Sequence, residues 1–297
     1  MTGLNGWLVV DKPVGPTSAQ VVGKLKWALR QGGHGKVKIG HGGTLDPLAS
    51  GVLPIALGEA TKLTGYLLNG PKSYRFTLRF GTATSTDDAE GEVVATSAVR
   101  PDEAAIRAAL PAFTGPVRQR PPAYSALKVD GERAYARARA GEAVELAERE
   151  IRIHSLQLVQ ATAESATFDV HCSKGTYVRS LARDLALALG TVGHVAFLRR
   201  TAAGPFGLEQ ALSLDKCVEL VQGPAPEQAL LPLTAGLDDI PALAVDPDEA
   251  AALKQGKRLH RPHESPGQYI ATRGSVPVAL VELSNEDVKV LRGFNLP

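Results

Sequence analysis

Cysteine is nearly missing from this chain: Cys172 and Cys217 are the only two among 297 residues. Two thiols make neither a disulfide framework nor a four-ligand zinc site. His171 and Cys172 have no neighbours at ligand spacing, so no metal is expected. Long apolar runs are missing too. No stretch reaches the roughly 18 apolar residues a membrane helix needs. The start, MTGLNGWLVVDK, has neither the basic opening nor the small-residue cleavage site of a signal peptide. A soluble, cytoplasmic protein with no membrane contact is expected. Net charge is scarce as well: 33 Lys and Arg against 31 Asp and Glu leave +2, so no overall basicity announces nucleic acid.

Several catalytic signatures also fail. Gly35-Lys36 would end a phosphate-binding loop, but Arg30 stands where its first glycine belongs and Val37 where Ser or Thr belongs. The dinucleotide fingerprint fails from Gly33 and from Gly40, and no H-E-x-x-H or G-x-S-x-G occurs. Kinases, dehydrogenases, zinc hydrolases and esterases are thereby excluded.

What is present is unevenly placed. Lys12, Lys24, Lys26, Arg30, Lys36 and Lys38 fall between Asp11 and Asp46 with no acid among them. Arg118, Arg120, Lys128, Arg133, Arg137 and Arg139 form a second basic zone. Such segregation suits either a positive face for phosphates or solvated helix faces balanced elsewhere.

The pattern predicts strands interleaved with helices. GWLVVDKP reads as a strand stopped by Pro13, and Thr17 or Ser18 caps a helix running to about Arg30. Residues 32–43 read as loop, GVLPIAL as a strand, and EATKLTGYLLNG as one helix. In KSYRFTLRFG, Tyr74, Phe76, Leu78 and Phe80 share one face of a half-buried strand. PDEAAIRAALPAF and TYVRSLARDLALALG read as helices. Residues 221–233, VQGPAPEQALLPL, carry three prolines and read as the approach to a linker. Beyond Ile240 a helix and short strands form a small unit that should dock on the rest, being near the lower size limit for its own core.

The stretch GHGGTLDPLASG sets one acid, Asp46, among four glycines. Pro47 stiffens the backbone and pushes Asp46 toward extended geometry, while the glycines clear space around it. A nucleophilic carboxylate needs that presentation. A carboxylate that caps a turn fits the same pattern, and spacing does not choose between them. In SKGTYVRSLARDL, Tyr177 and Arg179 open a helix, where they could meet a base and a carboxylate or phosphate, or form an ordinary exposed helix start.

Together these segments resemble the TruB family of pseudouridine synthases. GWLVVDKPVGPTS, GHGGTLDPLASGVLPIALGEATK, KSYRF, RPPAYSALKVDGERAYARARAG, CSKGTYVRSLARDL and AFLRRTAAGPF are similar to its motif blocks, in order. The resemblance implies an α+β pseudouridine synthase fold with a mixed, mainly antiparallel central sheet flanked by helices. It also implies a catalytic domain at 1–235 and a small β-rich, PUA-like RNA-binding domain at 240–297. It implies that uridine at position 55 in the T-loop of tRNA is isomerised without cofactor or metal. Asp46 would be the catalytic carboxylate, kept charged and aimed by Arg179. His41 would fill the space of the flipped base, Tyr74 would stack on the uracil, Tyr177 would position it and Leu198 would line the pocket. Lys12, Asp88, Lys128 and Arg133 would contact RNA. The partner would be the tRNA T-arm stem-loop, with no obligate protein partner and a monomeric chain. Position 42, usually threonine in the family, is Gly42. Two other readings are a relative working inside a guide-RNA particle and a non-catalytic RNA binder. The intact YSALKVDGERAY block and the absence of basic tails argue against the first, and Asp46, Tyr74 and Arg179 argue against the second.

Overall fold

The computed structural model describes residues 3–125, 128–129, 132–133, 137, 142, 146–237, 239–262 and 264–296. Among the described residues, fourteen strands precede residue 214: β1 (Gly6–Lys12), β2 (Ile39–His41), β3 (Ser50–Leu57), β4 (Lys72–Phe80), β5 (Thr82–Thr84), β6 (Val93–Thr96), β7 (Gly115–Gln119), β8 (Lys128–Val129), β9 (Glu132–Arg133), β10 (Arg149–Ala161), β11 (Ser165–Cys172), β12 (Gly193–Ala203), β13 (Phe206–Gly207) and β14 (Leu212–Ser213). The central sheet runs β14-β1-β3-β12-β4-β11-β10-β7, with β2 added to β3 and β13 to β12. Only β1–β14 and β3–β12 pair in parallel; the other described pairs in this sheet are antiparallel. In β4 the alternation holds: Phe76, Leu78 and Phe80 are buried, whereas Arg75 and Arg79 face solvent.

Helices α1 (Ser18–Gln31), α2 (Thr64–Asn69), α3 (Glu103–Ala109), α4 (Val178–Ala188) and α5 (Leu214–Gln222) accompany the sheet. Thr17 caps α1 through a reciprocal pair with Gln20, satisfying two amides that the first turn leaves open. Helix α1 buries Val21, Leu25, Ala28 and Leu29 and packs on α5; α4 packs on β12 and β4. Four expectations change. The glycine-rich segment at 32–43 contains β2, which pairs with the second half of β3. The helix expected over EATKLTGYLLNG is a 3-10 segment, Gly58–Leu63, followed by α2. In PDEAAIRAALPAF, Asp102 is the cap and the last turn, Leu110–Phe113, is 3-10.

The fourth change is the linker. Residues 221–233 finish α5 and continue in short turns that lie on β1. Leu231 and Trp7 exchange backbone bonds, and Trp7 Nε1 donates to Leu233 O at 3.0 Å. The tail adds α6 (Pro247–Lys254) and the strands β15 (Ala242–Ala244), β16 (Leu259–His260), β17 (Gly267–Arg273), β18 (Val276–Ser284) and β19 (Asp287–Gly293), in sheet order β15-β17-β18-β19-β16. Its Ile270, Leu280 and Phe294 share one buried cluster with Trp7, Val52, Ala56 and Leu67. Lys62 Nζ donates to Gly293 O and the Asn295 amide to Glu59, so polar bonds cross the same seam. Among the described residues, no helix is long and apolar enough to cross a membrane.

Candidate active site

Asp46 lies on the loop that leaves β2 and returns into β3. Bonds on both sides of it hold this loop. Ser18 Oγ, at the start of α1, accepts from Leu45 N at 2.8 Å and donates to Leu45 O at 3.1 Å. Pro47 O accepts from Gly15 N at 2.8 Å and from Lys12 Nζ at 3.3 Å. Leu45 itself is buried, 4% exposed. A residue whose two neighbours are fixed has little backbone freedom left, so the carboxylate between them points one way. Its side chain remains 37% exposed.

Behind it stands Arg179, on the first turn of α4 and only 5% exposed. Its Nη2 lies 2.9 Å from Asp46 Oδ2 and donates to Tyr124 O at 2.9 Å; its Nη1 lies 3.4 Å from Asp88 Oδ2 and donates to Thr86 O at 3.0 Å. A planar fork meets four acceptors at once, which a lysine cannot do. One turn on, Arg183 Nη1 pairs with Asp87 Oδ2 at 2.9 Å. Asp87 takes a left-handed φ of 60°, and this turn aims two successive acids at two arginines on one helix face. Burial pushes the Asp87 carboxyl up, against the opposing pull of Arg183 and Arg179.

Asp88, expected to contact RNA, turns its carboxylate inward. It is 2% exposed, and its carboxylate accepts from Thr86 Oγ1 and the Glu90 amide while facing Arg179. Lys12 is likewise withdrawn from phosphates. It is 0% exposed, and its ammonium donates to Pro13 O and Pro16 O, each at 2.8 Å, as well as to Pro47 O. Burial lowers its pKa to about 8, with the Asp46 charge opposing the fall. In both cases a charged side chain is buried because backbone groups of a tight turn use it.

Tyr74 sits on β4 directly across from Arg200 of β12, partly buried. Burial raises its phenol pKa, and the charge of the Arg200 guanidinium works the other way. His41, half-buried, is made less basic by burial and by the Arg200 charge; Gly43 N lies 3.4 Å from its Nδ1. Leu198, 5% exposed, pairs in register with Phe76. Tyr177 is the residue before α4. Gln119 holds its backbone at both ends, at 2.8 and 3.0 Å, and the Arg149 guanidinium lies 4.9 Å from its ring centroid. Lys128 and Arg133 pair through their backbones in the β8–β9 ladder; their side chains lie outside the described residues. Lys24, Lys26, Arg30, Lys36 and Lys38 are exposed, with Lys24 paired to Asp215 at 2.8 Å. Among the described residues, no group of three or more His, Cys, Asp or Glu is arranged for a metal.

Two family models match this chain: the N-terminal domain of TruB family pseudouridylate synthase over residues 30–178, and the C-terminal domain of tRNA pseudouridylate synthase B over residues 179–238. The chain belongs to the TruB family of pseudouridylate synthases. It is 57% identical to tRNA pseudouridine synthase B of Novosphingobium aromaticivorans, over 99% of this chain and 98% of that one. It is 53% identical to the protein of that name from Zymomonas mobilis, over 98% and 96%. Among solved structures, an H/ACA RNP bound to a substrate RNA containing 2'-deoxyuridine matches with a TM-score of 0.75 and 25% identity, covering 98% of this chain and 85% of that one. A Cbf5-Nop10-Gar1 complex matches at 0.73 and 26%, covering 97% and 84%. The architecture is thus the pseudouridine synthase fold with a β-rich C-terminal domain.

In this TruB chain the backbone at position 42 is tightly packed. Gly42 is buried, and a Cβ there would lie 2.7 Å from Leu67 Cδ1 and 3.2 Å from Leu67 Cβ. Leu67 of α2 occupies the room a side chain would take. Sequence reasoning missed Ser18, Gln119 and Arg200 as supports of the site. Arg200 shows in the sequence only as the second of two consecutive arginines in AFLRRTAAGPF.

Proposed function

We propose that the chain isomerises the uridine at position 55 in the T-loop of tRNA to pseudouridine, working alone in the cytoplasm. The observation that carries this is the Asp46 carboxylate, open to solvent on one side and paired with a buried arginine on the other. The target base must leave the stack of the loop, at a cost of roughly a few kcal/mol. Tyr74 offers an aromatic face for the flipped uracil, and His41 lies on the same loop as Asp46, suited to the space the base leaves. Asp46 acts as an ionised carboxylate on the ribose or base. The bond from C1′ to N1 breaks and one from C1′ to C5 forms. The proton lost from C5 is balanced by one gained at N1, so no cofactor is consumed. Residues 1–235 would carry the chemistry and 240–297, a PUA-like unit, would extend the grip on RNA. The exposed Lys24, Lys26, Arg30, Lys36 and Lys38 would follow the T-arm phosphates.

Near-complete coverage by relatives named tRNA pseudouridine synthase B supports this reading over a guide-RNA particle. The test is purified chain with an unmodified tRNA transcript and nothing else. Conversion of one T-loop uridine supports the proposal. Conversion only after a guide RNA and further proteins are added, or tight binding with no conversion, would reject it.

A further inference from the structure

The chain has two tryptophans, and the fold treats them in opposite ways. Trp7 is wholly buried, whereas Trp27, on α1, is 55% exposed. The helix dictates this. Val21, Leu25, Ala28 and Leu29 form its buried stripe, and at 3.6 residues per turn Trp27 falls near the opposite side. A single exposed ring is ordinary on a protein surface. Its surroundings are less so. Lys26 and Arg30 stand beside it on α1 and line a narrow groove together with Lys36 and Val37, on the loop after the helix. All three cations are exposed, and among the described residues none of them has an ion-pair partner. The groove shares Lys36 and Val37 with a cavity of about 410 Å³ that Leu4, Pro224 and Pro226 wall with apolar surface. Lys24, on the other flank of α1, is taken by Asp215.

We propose that the Trp27 ring and this groove bind an unpaired nucleotide of the RNA substrate other than the target uridine: the indole stacks on its base, and Lys26, Arg30 and Lys36 hold the adjoining phosphates. The inference rests on the reading that the substrate is RNA. An aromatic face beside unpaired cations suits a single strand of nucleic acid, since every base has a π-face and every link a negative charge. A protein partner would need a wider apolar patch than one ring among cations supplies. The loop gives the groove its shape. Gly33 and Gly35 take left-handed φ values of 78° and 69°, and these turns bring Lys36 to the same groove as Arg30. The distance to Asp46 also fits. Helix α1 starts beside the Asp46 loop, where Ser18 bonds Leu45. Trp27 lies nine residues beyond Ser18, about 14 Å at 1.5 Å per residue. RNA whose target base sits at Asp46 spans that distance in about four stacked nucleotides, at roughly 3.4 Å each. The groove thus grips the same molecule without touching the reacting atoms.

Trp7 is buried, so RNA can stack only on Trp27, and fluorescence gives a readout that needs no turnover. Unmodified tRNA transcript titrated into the full chain should quench tryptophan emission in proportion to the RNA bound. Trp27→Phe should abolish that change while Kd, measured by filter binding, stays within about threefold, because an aromatic face remains. Trp27→Ala should raise Kd about tenfold, or about 1.4 kcal/mol for one stacked base. The loss should fall on Kd and KM, with the single-turnover rate at saturating protein within about twofold of wild type. Arg30→Gln and Lys36→Gln together should flatten the slope of log Kd against log salt by about 1.4, two phosphates at about 0.7 each. Emission unchanged at saturating RNA, a Kd for Trp27→Ala within twofold of wild type, or an unaltered salt slope in the double variant would overturn the proposal. A chain that binds tRNA with quenching but converts no T-loop uridine would sink the functional reading and leave this one standing. Conversion without quenching would do the reverse.

Discussion

Replacing Arg179 with lysine separates charge from geometry. The arginine meets two carboxylates, at 2.9 and 3.4 Å, and two carbonyls, at 2.9 and 3.0 Å. An ammonium group is one point with three donors and cannot span acceptors fanned around a guanidinium. We expect two of the four contacts to be lost. Hydrogen bonds to charged groups contribute about 1.5–3 kcal/mol each, so the raw loss is roughly 3–6 kcal/mol. Relaxation of the half-exposed Asp46 side recovers part of it and leaves about 3 kcal/mol. At about 1.4 kcal/mol per tenfold, the single-turnover rate should fall about a hundredfold or somewhat more. RNA affinity should stay within about tenfold, because Arg179 is buried. The assay is pseudouridine formation with enzyme in excess, beside a binding titration and urea unfolding. Arg179→Met should in addition strand the buried Asp88 charge and lower stability by about 3–5 kcal/mol. A lysine variant within threefold of the wild-type rate would refute the reasoning and return Arg179 to a purely structural part.

Gly42→Thr should destabilise by about 1–3 kcal/mol through overpacking against Leu67, and Leu67→Ala in the same chain should recover much of that in urea melts. Lys72, buried with its ammonium on Leu67 O, Leu68 O and Gly70 O, has its pKa lowered from 10.5 to about 8, chiefly by burial. Below about 8 it is protonated both folded and unfolded. Between about 8 and 10.5 the unfolded chain holds the extra proton, so stability rises with pH there. The stability of wild type relative to Lys72→Met should therefore be greater at pH 9.5 than at pH 7.5, and a flat or falling difference would contradict it. Ending the chain after Leu237 removes Ile270, Leu280 and Phe294 from the cluster around Trp7. At about 1.5–3 kcal/mol per buried side chain, it should lower stability by roughly 5 kcal/mol or more and depress the melting temperature.

Much of the framework could be read from local pattern. Thr17 and Ser18 offer the start of α1, and the alternation in KSYRFTLRFG announces a half-buried strand. What failed was the fate of charge. Lys12 and Asp88 look like surface residues because the sequence shows a charge and hides its partners. Those partners are carbonyls and amides of turns that exist only once the chain has folded. Strand β2 escaped notice because three residues, Ile-Gly-His, are too few to carry a periodicity; pairing with β3 makes it a strand. The supposed linker at 221–233 reads as proline-rich and without periodicity, yet Leu231 and Leu233 lie against Trp7, more than two hundred residues away. Long-range contacts of that kind leave no short-range trace.

Asp46→Asn is the most direct test of the account. The substitution keeps shape and removes the charge that Arg179 faces. On unmodified tRNA transcript the variant should form no pseudouridine at the T-loop position that wild type converts. Its RNA affinity should stay within about tenfold, or 1.4 kcal/mol. Residual turnover above a few per cent of wild type would show that another group carries the chemistry.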